Sequence, residues 1–381
     1  VTWQLRTTIY DAKIPGYQEI SELINGLRIR ATLHGGVQAI EFELADDYVD
    51  SYRWAYDHIG CNVYIFDNHV NPPVAEGVIM EPGISERGNH VVAYGPWLAY
   101  MYRRIYNNTT SWVTTGTTGQ QVQHILTNEC PDISTDQSNV GDPGTNNFPW
   151  QPVDNQYPGD LVEHLASLSD ASNNEWYFWL RSPPMAGTTP RSPVPWFKAA
   201  SSITKVYQCW REDMTPGGLD LTPSLRELAN DVRVMYRDYA GTVDQTASAT
   251  DATSQARWWL REVWDNDLGS ASAANAAQYR DLLLARYKDP QQAASFRLNT
   301  WVYDEWGGKF PLWRILADFP VKFTVNDLIP DSTVLGHILD DKRTFVTLVS
   351  EYDYDSNTLT VVPDTEDNRA DAMLARHRAF R

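Results

Sequence analysis

From Val1 to about Tyr106 the dominant period of the chain is two, and that feature decides what these residues can fold into. Trp3, Leu5 and Ile9 alternate with Gln4, Arg6 and Thr8; Ile29, Ala31 and Leu33 with Arg28, Arg30 and Thr32; Ile40, Phe42 and Leu44 with Glu41 and Glu43. Successive side chains of a strand point to opposite faces, so each run is a strand with one buried and one wet face. Two or three more strands are expected within Asn62 to Asp67, Val74 to Met80 and His90 to Tyr94, separated by turn signals at Asn71-Pro72-Pro73 and Glu81-Pro82-Gly83. Short strands at such spacing predict a barrel or sandwich.

Beyond Asn107 the residues turn to Thr, Gly and Asn and the period changes. Thr118 is placed to cap a helix whose Val122, Ile125 and Leu126 share a face and which stops before Pro131. Ser134 to Pro158 is polar and reads as a loop or as an arm ordered against a neighbour. Asp160 and Glu163 open a second helix with Leu161, Leu165 and Leu168 as its stripe. Glu175 to Arg181 and Lys205 to Arg211 predict aromatic-rich strands, and the five prolines from Ser182 to Pro195 predict an extended loop between them.

Leu225 to Arg237 returns to strand, Gly241 to Ser254 reads as loop, and Ser272 to Lys288 as a helix with Ala276, Leu283, Leu284 and Tyr287 on one face before Asp289-Pro290. Strands are expected again at Ala294 to Tyr303, Val321 to Val325, Arg343 to Glu351 and Thr358 to Val362, the last two joined by a hairpin over Asp353 to Asn357. Ala370, Met373, Leu374 and His377 predict a final amphipathic helix.

The chain has 381 residues, more than one core usually serves, so two or three domains are expected. The divisions fall at 1–106, a β-barrel-like domain; 107–222, an α+β domain with long Pro/Gly-rich loops; and 223–381, a second barrel-like domain with a helical insertion over about 251–290 and the terminal helix. The fold class is mainly β with α+β parts. Fifteen Trp and 20 Tyr suit pleated strands and large protein interfaces. A net charge of −18 argues against a phosphate-neutralising surface and sets sequence-specific DNA binding aside. Cys61, Cys130 and Cys209 are odd in number and far apart, which predicts buried thiols and neither a disulfide framework nor a zinc cluster. No apolar run reaches the roughly 18 residues of a membrane span, and no leader pattern precedes Val1, so no membrane insertion and synthesis in the cytosol are expected.

No motif carries chemistry. Asp353, Asp355 and Asn357 start like a calcium loop, but Thr358 stands where Gly is needed and Asp364 where a bidentate Glu belongs, so a β-turn is expected. The eight histidines show no zinc spacing, with His58 and His69 a pair that could approach each other across strands. There is no nucleophile elbow, Walker loop or dinucleotide fingerprint. No catalytic, cofactor-binding or metal-binding residue is assigned, and no cofactor. With 49 acidic residues a glycosidase-like pair needs no local motif, and Trp176-Tyr177-Phe178-Trp179 and Trp258-Trp259 are candidates for stacking on sugar rings. Core or subunit interface is the plainer reading of both clusters.

Leu228 to Asn299 resembles the central part of tailed-phage minor tail and tail-hub proteins. There a strand of the form N-x-V-x-V-x-Y leads through a polar loop to D-x-x-S, a short amphipathic segment, an Ala-rich helix and a Pro. Here these are Asn230 to Tyr236, Asp251 to Ser254, Arg257 to Asn266, Ala273 to Tyr287, and Pro290. Leu339-Asp340 to Thr347 and Tyr352 to Val362 resemble the strands that follow, and Gly60 to Met80 is similar to an arm of the family's first barrel. The resemblance covers about two thirds of the sequence, departs at Arg257-Trp258-Trp259, where relatives carry Tyr-Gly-Arg, and has no counterpart for the Pro-rich middle.

The resemblance implies two barrels related to tail-tube folds with smaller α/β domains outside them, in a non-enzymatic structural subunit of the virion. Such subunits form rings, commonly trimers, that close the tail tube between the distal tail and tube proteins and the host-binding tip or fibre proteins. Genomic DNA would then be cargo that slides past acidic walls without sticking. The competing reading is a carbohydrate-binding or glycan-hydrolysing protein, virion-borne or secreted.

Overall fold

The alternating residues form strands in the computed structural model, which describes residues 4–11, 14–44, 51–85, 88–104, 116–143, 156–167, 175–184, 191–224, 228–238, 240–266, 268, 271–289, 291–326 and 344–364. β1 (Leu5–Asp11), β2 (Ile14–Glu19), β3 (Ile24–Thr32) and β4 (Gly35–Leu44) come first; α1 (Ser51–Asp57) leads to β5 (Asn62–Asp67), β6 (Val70–Ser85) and β7 (Gly88–Tyr94), and α2 (Pro96–Met101) follows. Antiparallel pairing runs β2-β1-β5-β6-β7-β4-β3. Ile29, Ala31, Ile40 and Phe42 are wholly buried, as the alternation requires, and each large side chain among them stabilises by about 1.5–3 kcal/mol.

The two proline signals are not turns. Both lie inside β6, whose pairing with β5 slips between Ile65 and Asp67, opposite Pro72 and Pro73. A second slip, between Ile79 and Glu81 in the pairing with β7, falls just before Pro82. A bulge leaves a residue out of the ladder, so a proline without an N–H is tolerated there and the strand continues.

In the middle of the chain, α3 (Thr118–Glu129) and α4 (Pro158–Ser167) precede β8 (Trp176–Arg181), β9 (Val194–Ala199), β10 (Val206–Trp210) and β11 (Met214–Ser224). The cap of α3 is Thr117 in place of Thr118, in a reciprocal capping box with Gln120. α4 begins at Pro158, ahead of Asp160, with Leu161 and Leu165 buried; Leu168 lies outside the described residues. The expected loop from Ser182 ends in strand, because Val194 and Pro195 open β9 and pair with Arg181 and Leu180. Of the polar stretch from Ser134, the described part lies on its own chain: Ser134 N–H bonds the Pro193 carbonyl at 2.9 Å, and Val140 bridges to Phe197.

The C-terminal part holds β12 (Asp231–Arg237), β13 (Val243–Gln245), β14 (Ala249–Thr250), α5 (Ala252–Trp258), β15 (Glu262–Asp265), α6 (Ala273–Tyr287), β16 (Gln291–Leu298), β17 (Val302–Tyr303), β18 (Lys309–Phe310), α7 (Arg314–Asp318), β19 (Lys322–Asn326), β20 (Thr344–Asp353) and β21 (Thr358–Pro363). The expected loop over Gly241 to Ser254 therefore carries two short strands and the start of a helix. The β20–β21 hairpin forms as read. Asp353 accepts from Ser356 N–H at 3.0 Å and from Arg28 Nε at 3.1 Å, while Asp355 accepts from Gly26 N–H at 2.9 Å, so these acids tie a turn. The predicted helix over Ala370 to His377 lies outside the described residues.

The mainly β expectation holds, with 17 strands in one mixed sheet. Among the described residues no pairing closes a barrel. β2 pairs with β1 alone, and β3 turns to β20, a long strand that also pairs with β19 and β21. The first strands and the last thus share a core, in which Ile9, Phe42 and Val63 join Tyr207, Phe296, Phe323 and Leu359. A second core collects α2, α3, α4, β8, β12 and α6. The two meet where β4 runs parallel to β8 at Gly35 and Gly36. Gly35 has φ +105°, and a Cβ there would lie 2.7 Å from Trp97 Cγ, so only glycine lets Trp97 seat itself fully buried. Cys61, Cys130 and Cys209 are buried and joined in no disulfide, as expected.

Candidate interaction surface

Asn230 immediately precedes β12. Val232, Val234 and Tyr236 turn into the second core with Ala276 and Leu283 of α6, and Asn230 is buried with them. A buried amide left unpaired costs about 1–3 kcal/mol, and this one is fully used. Its Nδ2 donates to the Trp259 carbonyl at 2.7 Å and to Ser254 Oγ at 3.2 Å, and its Oδ1 accepts from Arg261 N–H at 2.8 Å. Its backbone N–H donates to the Arg261 carbonyl at 2.9 Å, and its carbonyl accepts from Asp251 N–H and Gln255 Nε2, both at 3.1 Å. One side chain therefore fixes both ends of α5.

The Asp251 to Ser254 motif is the N-cap of that helix. Asp251 accepts from Ser254 N–H at 2.8 Å and from Lys288 Nζ at 3.2 Å, and the Ser254 N–H, followed by Lys288, holds its carboxyl below the usual range. Ser254 Oγ donates to the Lys288 carbonyl, joining α5 to the end of α6.

What the clamp presents is Trp259. Its backbone sits at φ 62°, ψ 169°, a region open to glycine and costing other residues about 1–3 kcal/mol. Its residue is nonetheless 72% exposed, with Leu260 at 57%, Val263 at 39% and Trp264 at 53% beside it. Strain of this kind persists where the surroundings over-determine it, and burial of Trp259 is not what it serves here. The amphipathic segment expected over Arg257 to Asn266 is thus the end of a helix, a strained corner and an edge strand. β15 runs parallel to β12 and, among the described residues, pairs with no other strand; β13 edges the opposite side. Arg257 lies over Trp258 at 4.8 Å and Arg233 over Trp264 at 5.8 Å, so the aromatic strip is flanked by cations.

The other clusters are interior. Trp176, Tyr177, Phe178 and Trp179 are all buried, and Trp179 stacks on Trp196; they offer sugars no platform. His58 is spent on the Trp54 carbonyl, 2.6 Å from its Nδ1, and no group of three metal-ligating residues gathers among the described residues. Two places bring carboxylates to chemistry-like settings. Glu76 is buried in a cleft lined by Val37, Val74, Leu180, Arg181 and Ala317, accepting from Ser182 Oγ, Tyr64 OH at 3.3 Å and Asn62 Nδ2 at 3.4 Å. Burial pushes its carboxyl up to about 7. The cleft leaves about 30 Å³, room for a water and not for a sugar ring, and no second carboxylate lines it. Glu175 and Asp364 converge on the Tyr177 hydroxyl, which is buried, and Arg286 neutralises Glu175. That arrangement ties β8 to α6 and to the end of β21.

No protein-family model matches the sequence, and no curated protein matches it. Solved structures do. Prophage tail protein gp18 from Listeria monocytogenes superposes with a TM-score of 0.58 over 97% of this chain and 98% of its own, at 12% identity. The 43 kDa tail protein of prophage MuSo2 from Shewanella oneidensis gives 0.58 over 95% and 98% at 14% identity. A tail protein from Neisseria meningitidis gives 0.57 over 94% and 95% at 9% identity. The chain has the fold of a phage tail protein. The likeness runs nearly end to end in both partners of each comparison, beyond the two thirds that sequence motifs cover. No helix among the described residues is long and apolar enough to cross a membrane.

Proposed function

We propose that this chain is a structural subunit of a phage tail tip, a hub that closes the end of the tail tube and connects it to host-binding parts. The observation that carries the reading is the likeness over 94% or more of the chain to three proteins named as tail proteins. In the proposal, the sheet of the first and last strands, joined by β10 and β11 from the end of the 107–222 segment, makes the two tail-tube-like barrel modules, and α3, α4 and β8 with the small sheet of β12 to β15 stand outside them. The subunit acts without catalysis, as a ring of copies, most simply a trimer, between distal tail and tube proteins on one side and tip or fibre proteins on the other. Exposed strand edges support this, because a closed ring covers edges that would otherwise seed aggregation.

In this account the protein is made in the host cytoplasm and ends in the virion. The net charge of −18 gives the lumen a use for acidity, since walls that repel phosphate let DNA leave without counterion-release binding. Of the two clusters behind the carbohydrate reading, Trp176 to Trp179 is core while Trp259 of the Trp258-Trp259 pair is exposed, so that reading stands second. Immunogold labelling of tailed particles tests the proposal. Gold at the distal end of the tail is expected; gold confined to free protein or to the capsid overturns it.

A further inference from the structure

Glu76 stands where the two large cores meet. Its cleft is walled by Val74, Leu316 and Phe319 of the first core and by Leu180 of the second, with Arg181 and Ser182 continuing from the end of β8. Among the described residues, three contacts tie that end across the cleft. The β4–β8 ladder is two pairs long, Gly35 with Trp179 and Gly36 with Leu180. Arg181 Nη2 donates to the Ala317 carbonyl at 2.8 Å, and Ser182 Oγ meets the Glu76 carboxyl. Further back, Tyr177 and Trp179 pack with Leu33 and Val349, so the part free to lift is Leu180 to Ser182. A seam this short parts at lower cost than either core unfolds.

We propose that Glu76 is a proton-operated latch: while its carboxyl carries a proton the end of β8 lies closed over β6, and loss of that proton lets Leu180 to Ser182 lift and water enter the cleft. The latch does not depend on the tail reading. Its direction follows from two opposed effects. Ser182 Oγ, Tyr64 OH and Asn62 Nδ2 can donate to a carboxylate, which favours the charge, but burial disfavours it and is the larger effect, so the group sits at about 7. The neutral acid is satisfied as well, because either hydroxyl can accept its proton. Tyr17 of β2, Tyr64 of β5 and Tyr100 of α2 face Glu76, and burial raises all three phenols, Tyr17 and Tyr100 to about 12, so they stay neutral alongside it. The charges on the far wall are engaged with one another. Arg181 Nη2 lies 3.9 Å from Asp318 Oδ1, Arg314 Nε lies 3.2 Å from Asp318 Oδ2, and Tyr207 OH donates to Asp318 at 2.6 Å. Closed, Glu76 keeps its proton up to about pH 7; opened to water it loses it near its ordinary value of 4.5. Opening between those values therefore releases a proton, and the open fraction rises about tenfold per pH unit across the window and levels off above it. The cleft already has about 30 Å³ of room, enough for a first water.

The test is amide hydrogen exchange of the full chain, followed by mass spectrometry from about pH 4.5 to about pH 8 with rates corrected for intrinsic exchange, alongside Glu76→Gln and Ser182→Ala. In the parent, amides of residues 179–183 are expected to be less protected than those of β3 at every pH, and to exchange about a hundredfold faster at the top of the range than at the bottom. Glu76→Gln, which has no proton to lose, removes that pH dependence. Ser182→Ala, which cuts one tie and leaves the acid in place, speeds exchange of the same residues at every pH and keeps the slope. Residues 179–183 exchanging only as slowly as β3 would show that the seam opens with the whole fold and overturn the latch. A flat profile in the parent, or a slope that survives in Glu76→Gln, overturns Glu76 as the group that operates it. Unchanged exchange in Ser182→Ala overturns Ser182 as its catch; because that variant and the parent carry the slope independently, the outcome stands even where Glu76→Gln fails to fold.

Discussion

The Trp259 corner makes a prediction whose sign is opposite to ordinary expectation. Trp259→Gly and Trp259→Ala both remove the indole, so they lose the same packing, and the residue is 72% exposed in any case. They differ in backbone. Glycine adopts φ 62°, ψ 169° freely, whereas alanine there retains a strain of about 1–3 kcal/mol. Relaxation is blocked because Asn230 holds the Trp259 carbonyl at 2.7 Å and the Arg261 N–H at 2.8 Å from inside the core. Against this, glycine has about 0.5–1 kcal/mol more unfolded-state freedom to lose. The glycine variant is therefore more stable than the alanine variant by about 0.5–2 kcal/mol, where most positions show the reverse. Denaturant unfolding monitored by circular dichroism measures the difference as a shift in midpoint at constant slope. Alanine equal to or more stable than glycine would refute the strained corner.

Three further outcomes follow from the same structure. Asn230→Ala strands the Arg261 N–H and the Trp259 carbonyl, lowers stability by about 2–4 kcal/mol and speeds amide exchange in residues 251–261; unchanged exchange contradicts the clamp. Glu76 has a folded pKa of about 7, raised by burial above its unfolded value. The folded state therefore holds a proton that the unfolded state has lost, and stability falls by on the order of 3 kcal/mol as pH rises from about 4.5 to about 7. Glu76→Gln flattens that slope in unfolding curves taken across the window, and an unaltered slope shows that the group does not titrate as buried. Gly35→Ala sets a methyl against Trp97 at φ +105° and costs about 3 kcal/mol or more, read as a lowered unfolding midpoint; a neutral effect contradicts the β4–β8 contact.

The strands that follow a strict period of two were legible because alternation is a local property: β3, β4 and β12 bury the residues that the pattern selects. What misled was punctuation. Pro72, Pro73 and Pro82 mark turns in a short window but lie at ladder slips within β6, and Pro216-Gly217-Gly218 hides β11, whose pairing with β16 slips between Met214 and Leu219. Only the partner strand, distant in sequence, tells a bulge from a turn. The edge strands β13 and β15 were missed for a related reason, since a strand exposed at most of its residues has no apolar face to alternate. The motif resemblance did single out Asn230, Asp251 and Ser254 before their roles were visible. The strained Trp259 had no signal at all, because a glycine there would have announced the conformation and a tryptophan conceals it.

Electron cryomicroscopy of the tail tip tests the central claim most directly. The account predicts density for this chain as a ring coaxial with the tail tube. A tail in which the chain is missing, or hangs as a single copy beside the tube, would contradict it.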